Sequence, residues 1–154
     1  MIDHLREKIF DWCLRHQAKR EVVMYAWKDI RSVVILHDEV EVKHIAKQLQ
    51  REGKEVQVWS MPEKKDICWL TGMPKKEVRE EVQSRHYDLM IDLTQQPNIT
   101  MQYMAMYVKA GIKTGRDIGK RLYDLSIDTP AQQTPDFLFE QVVKYIQMFT
   151  QKRS

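Results

Sequence analysis

The sequence is poor in the residues that announce chemistry. Only two cysteines occur in 154 residues, Cys13 and Cys68, and neither belongs to a CxxC pair or a Cys/His cluster with metal-ligand spacing. Both thiols are expected to be free and reduced, and no metal is expected. No stretch of about 18 apolar residues is present to cross a bilayer. The opening MIDHLREKIFDW carries charges every few residues where a signal peptide would be continuously apolar. These absences lead us to expect a soluble, cytoplasmic protein that does not engage a membrane.

Charge of one sign is lacking too. The formal net charge is +3, and Lys and Arg stand beside Asp or Glu, as in Glu63-Lys64-Lys65-Asp66. No basic run is interleaved with stacking aromatics, which argues against nucleic acid as a partner. Nor is there a His-Glu helix motif, a nucleophile elbow or a Walker-type glycine loop, so no cofactor is expected.

What is present describes one globular domain over residues 1–150, with 151–154 as a frayed tail. A chain of this size buries roughly 68–70% of the surface its unfolded form exposes, enough for one core. Tyr87 to Leu93 (YDLMIDL) has the apolar density of a strand buried on both faces, and Ser32 to His37 (SVVILH) reads the same way. Glu55 to Met61 alternates like a strand and stops at Pro62, Ile67 to Leu70 (ICWL) suits a short third strand, and Ile112 to Gly115 and Tyr123 to Asp128 complete the set. Tyr123 to Asp128 (YDLSID) echoes Tyr87 to Asp92 and suggests similar burial of two strands.

Helices fall between the strands. Residues 2–18 place Ile2, Leu5, Ile9, Trp12, Cys13 and His16 on one face, which should lie against the sheet or a partner. Asp38 with Glu41 forms a capping-box pattern for a helix through Val42, Ile45, Ala46 and Leu49 that Gly53 ends. A charged helix runs from about Lys75 to Arg85. Pro97 and Asn98 start another, with Met101, Met104, Ala105 and Val108 on one face and Gly111 at its close. Thr134 and Pro135 open the last, with Leu138, Val142, Tyr145, Ile146 and Phe149 toward the core. The alternation predicts an α/β fold, a doubly wound, mainly parallel Rossmann-like sheet of five to six strands with helices on both faces. With ICWL as third strand the order is 3-2-1-4-5-6, and the switch point falls between the ends of SVVILH and YDLMIDL.

That location gathers the candidate ligand-binding residues His37, Asp92, Thr94, Asn98, Arg116 and Asp128, with Asp38, Gln95, Gln96 and Thr114 nearby. An imidazole beside a carboxylate suits acid–base work, and Arg116 suits a phosphate or carboxylate. Each also has a structural role available: Asp38 and Asn98 as helix caps, Asp92 and Asp128 as acceptors of backbone N–H groups. The turn His37-Asp38-Glu39-Val40-Glu41 has no glycine and three carboxylates, so a pyrophosphate is repelled there. Gly111, Gly115 and Gly119 are read as helix ends and turns, and His4, His16, His44 and His86 as scattered surface or core-edge histidines.

YDLMIDLT, a helix and then AGIKTGRD resemble the N-terminal Rossmann-like domain of heptosyltransferase-type (GT-B) glycosyltransferases, in which YDLxIDL is followed by a helix and an AxxxxGR-like strand. The likeness covers Tyr87 to Asp117, and the arrangement also resembles small bacterial single-domain proteins of unknown function. In the transferases a second domain holds the sugar nucleotide, and a glycine turn after the first strand serves the acceptor. This chain shows neither, so the resemblance implies the fold without the activity. The expectation is a non-catalytic or catalytically vestigial domain that binds a protein partner or itself, through the N-terminal helix or the helix from Met101 to Val108. The alternative is a small anion-, sugar-phosphate- or nucleotide-binding protein, or a transferase-like enzyme, with its site at the strand ends.

Overall fold

The computed structural model describes residues 2–38, 41–129 and 134–151. Its centre is an all-parallel sheet of β1 (Ser32–Leu36), β2 (Glu55–Trp59), β3 (His86–Asp92), β4 (Lys109–Arg116) and β5 (Leu125–Ile127) in the order β2-β1-β3-β4-β5. The helices are α1 (Ile2–Arg15), α2 (Lys43–Arg51), α3 (Lys76–Gln83), α4 (Ile99–Tyr107) and α5 (Pro135–Gln151).

Strand periodicity explains why both faces of the sheet are covered. Val33, Ile35, Leu89 and Ile91 point to one side, where they meet Ile45 and Leu49 of α2 and Leu138, Val142 and Ile146 of α5. Val34, Leu36 and Met90 point to the other and meet Phe10 of α1, Val82 of α3 and Met101 to Met106 of α4. The doubly wound architecture is therefore as expected. β3 lies mid-sheet beside β1, in register from Val33–Leu89 to Leu36–Asp92, so the switch point falls where the two strands end.

Several local expectations are corrected. ICWL is no sheet strand. Ile67 forms an isolated antiparallel bridge with Pro74, closing a turn outside the sheet, and the expected six-strand order becomes one of five. Its Trp69 is 75% exposed, so those apolar residues mark a protruding turn. Gly111 does not close α4, which ends at Tyr107; it lies inside β4, where an added Cβ would sit 3.0 Å from the Val23 carbonyl oxygen and 3.1 Å from that of Asp88. Val23 N–H donates to the Gly111 carbonyl at 2.9 Å, so the chain after α1 runs hard against the strand. Tyr123 stands ahead of β5, whose extended part is only Leu125 to Ile127.

The helices differ from expectation in which faces they bury. In α1 only Phe10 is fully buried, edge-on to Tyr103 of α4 with ring centroids 4.9 Å apart, while Cys13 and Leu14 pack beside it. The predicted stripe divides: Cys13 packs on the core, while Ile2, Leu5, Trp12 and His16 are exposed. α4 is buried all round from Thr100 to Met106, so its Met- and Tyr-rich surface is core and not an interface. α5 begins as expected, with Phe137 N–H on Thr134 Oγ1, but Phe149 is exposed. The expected tail beyond Gln151 lies outside the described residues.

Candidate functional site

At the switch point, Asp92 ends β3 and the following loop turns back over it. The Thr94 N–H donates to Asp92 Oδ1 at 3.0 Å, the local turn foreseen for this carboxylate. Tyr123 reaches across from the segment before β5 and donates its hydroxyl to Asp92 Oδ2 at 2.5 Å. It can do so because β4 carries glycine below it: a Cβ on Gly115 would lie 2.7 to 2.9 Å from the Tyr123 ring. Gly115 thus serves a close approach and not a turn.

Burial sets the electrostatics. Asp92 is 3% exposed, and desolvation raises its pKa, opposed by the hydrogen bonds from Thr94 and Tyr123. The Thr94 hydroxyl adjoins the same carboxylate without the geometry of a full hydrogen bond. Tyr123 is pushed well above its ordinary value by burial and then by the charge of Asp92. Arg116, leaving β4, donates Nη1 to the Gln95 carbonyl at 2.6 Å, while its Nε is buried without a partner.

Asp38 does not cap α2. The helix begins at Lys43, its N-cap Val42 makes no side-chain cap bond, and Asp38 instead crosses the switch point. Its two carboxylate oxygens accept the N–H groups of Gln95 and Gln96 at 3.1 and 3.0 Å. The loop between β3 and α4 is therefore tied to the end of β1 through backbone donors that an anionic ligand would otherwise use. Asn98 does cap α4, accepting the Met101 N–H at 3.1 Å. Of the turn His37 to Glu41, Glu39 and Val40 lie outside the described residues.

These groups enclose a recess lined by Asp92, Thr94, Asn98, Gln102, Arg116 and Tyr123, with about 30 Å³ of water-accessible space. That is room for about two waters. Of the six predicted residues, the structure gathers Asp92, Thr94, Asn98 and Arg116 here. His37 is 7% exposed and lines a different cleft beneath α2, and Asp128 is exposed beyond β5 beside α5. Thr114 is wholly buried, its hydroxyl donating to the Met90 carbonyl at 2.9 Å.

Two residues, Tyr123 in the site and Lys113 outside it, gave no usable signal in the sequence. Tyr123 was indistinguishable from the first residue of a strand. Lys113, in a continuous buried strand, is 4% exposed and donates Nζ to the carbonyls of Ala105 and Met106 at 2.8 and 2.9 Å, near the end of α4. Burial pushes its pKa down to about 7. A neutral amine keeps two N–H donors, which matches the two carbonyls. Among the described residues, no three His, Cys, Asp or Glu side chains come together as a metal site, and both cysteines are free.

Fold and site together define a doubly wound α/β domain whose switch-point loop is tied to the end of β1 by Asp38. A sequence model for a family of unknown function, DUF6913, matches residues 6–149, and the chain belongs to that family. No curated protein and no solved structure matches it. No helix among the described residues is long and apolar enough to cross a membrane.

Proposed function

We propose that this chain is a non-catalytic α/β module that pairs with a second copy of itself through α1. The observation that carries it is the outward seam Ile2, Leu5, Ile9, Trp12. Its steps of three, four and three residues are those of a helix that packs on a helix, while α1's other apolar face, at Phe10, Cys13 and Leu14, already holds α4. Ile2 is 49%, Leu5 46% and Trp12 55% exposed. Arg6 donates to the carbonyls of Trp69 and Leu70, so the protruding turn lies alongside the seam and widens the apolar surface. A seam of this spacing accepts another helix, and α1 of a second copy supplies one of equal length and spacing across a two-fold axis.

The switch point supports the non-catalytic half of this reading. Its recess has room for about two waters, and its loop N–H groups hold Asp38. The likeness to the heptosyltransferase-type domain is, on this view, one of fold.

Sedimentation velocity from about 5 to about 300 µM, a range that spans weak homodimers, is the test. We expect a monomer–dimer equilibrium that Leu5→Glu and Trp12→Glu shift fully to monomer with unchanged circular dichroism. A monomer at every concentration would overturn the pairing.

A further inference from the structure

His37 lies outside the recess at Asp92 and opens onto a second feature of the carboxyl edge. A cleft of about 430 Å³ runs between α2 and the ends of β1 and β2, within the size range of small-molecule sites. Val42 and Ala46 of the α2 region and Val58 of β2 give it apolar walls, and Lys43 and Lys47 stand at its mouth. His44 and Glu41 lie beyond those lysines on the outer surface. His37, more than nine-tenths buried, closes the inner side.

We propose that this cleft binds a small apolar carboxylic acid, its aromatic or branched body against Val42, Ala46 and Val58 and its carboxylate between Lys43 and Lys47. The wall chemistry selects the class. Two exposed cations at the mouth of an apolar slot favour a ligand that is charged at one end only. Free phosphate has no apolar body to bury there. Burial lowers the pKa of His37 and leaves the imidazole neutral, so the inner side of the cleft carries no charge to compete with the lysines for the carboxylate.

The test follows the ring resonances of His37 by NMR in the full chain. The probes are benzoate, 4-hydroxybenzoate and isovalerate, each to about 20 mM, beyond the weakest specific affinities of fragment-sized ligands. Benzyl alcohol and inorganic phosphate are the controls. We expect saturable shifts with at least one acid, no saturation with either control, and at least tenfold weaker binding after joint Lys43→Ser and Lys47→Ser substitution. Ala46→Phe fills the slot and should abolish the shift, and the lysine pair, being exposed, tests the site even if that variant does not fold. No saturable shift from any of the three acids overturns the proposal, as does undiminished binding in the lysine variant. The outcome is independent of the pairing of α1, since a monomeric Leu5→Glu chain must titrate identically.

Discussion

Asp38 and Gln96 stand on opposite sides of the switch point, and a carboxylate oxygen of the first accepts the backbone N–H of the second at 3.0 Å. With the matching bond to Gln95, the protein places its own anion where a sheet of this topology would hold a ligand's. Asp38→Ala removes that anion and exposes two donors beside Arg116. We expect a loss of about 1.5–3 kcal/mol in urea denaturation, the range for hydrogen bonds to charged groups. Sulfate should then raise the melting temperature of the variant more than that of the wild type, measured at matched ionic strength. Equal responses in the two proteins would show that the loop does not open to anions.

The bond from Tyr123 to Asp92 depends on Gly115. Tyr123→Phe leaves a buried carboxylate oxygen short of its donor and should cost about 1–3 kcal/mol. Gly115→Ala should cost a similar ~1–3 kcal/mol by overpacking. Because Gly115→Ala already displaces the ring, the double variant should lose less than the sum. Additive losses in a double-mutant cycle would separate the two residues.

Asp92 gives a pH dependence of defined sign. Its folded pKa is raised from 3.8, so above 3.8 the folded chain holds a proton that the unfolded chain has released. The contribution is fully present below the unfolded value and is lost as pH rises through the folded one. Asp92→Asn lacks this titration. The stability of wild type relative to the variant should decline as pH rises from about 4 toward neutrality, followed by urea denaturation. A difference that is constant with pH would mean that Asp92 titrates normally.

Lys113 acts at the other end of the scale. Its amine titrates at about 7 in the fold and 10.5 in the unfolded chain, so between those values the unfolded chain binds the extra proton and stability rises with pH. Lys113→Met removes that rise and leaves two carbonyls near the end of α4 without donors. The advantage of wild type over the variant should therefore widen from pH 7 to about 10, as read from thermal unfolding.

Phe10 fastens α1 to the domain. Phe10→Ala removes a fully buried ring from its edge contact with Tyr103 and should cost about 3–5 kcal/mol. Limited proteolysis should then cut first near residues 16–20, which follow the released helix. Cleavage first within α4 would indicate a wider collapse.

The elements that were plain in the sequence are those in which pattern and burial agree. SVVILH and YDLMIDL are continuous apolar runs because covering helices bury both faces of β1 and β3. The outward face of α1 reads equally as a stripe for the sheet or for a partner, because spacing alone does not say what a stripe packs on. ICWL failed for a related reason: a short apolar run is ambiguous, and Trp69 sits at a turn tip. Asp38 satisfied the local rule for a helix cap, but donors from residues fifty-seven and fifty-eight positions later claimed its carboxylate. No local pattern reports such a partner. Gly115 and Tyr123 were unreadable for the same reason, since the contact that explains both is tertiary.

The adjacency of β1 and β3 also constrains how the chain reaches its fold. β1, α2 and β2 form one contiguous crossover within residues 32–59, and β3, α4 and β4 form another within residues 86–116, whereas the β1–β3 pairing must await a strand that begins at His86. Closing that longer loop costs more chain entropy than closing either crossover, so the two halves should form first and join along β1 and β3 afterwards. Conservative truncations within either crossover, such as Ile112→Val and Val56→Ala, should slow refolding. A ribosome synthesising this chain would then release β1 and β2 together well before the strand that joins them to the rest of the sheet.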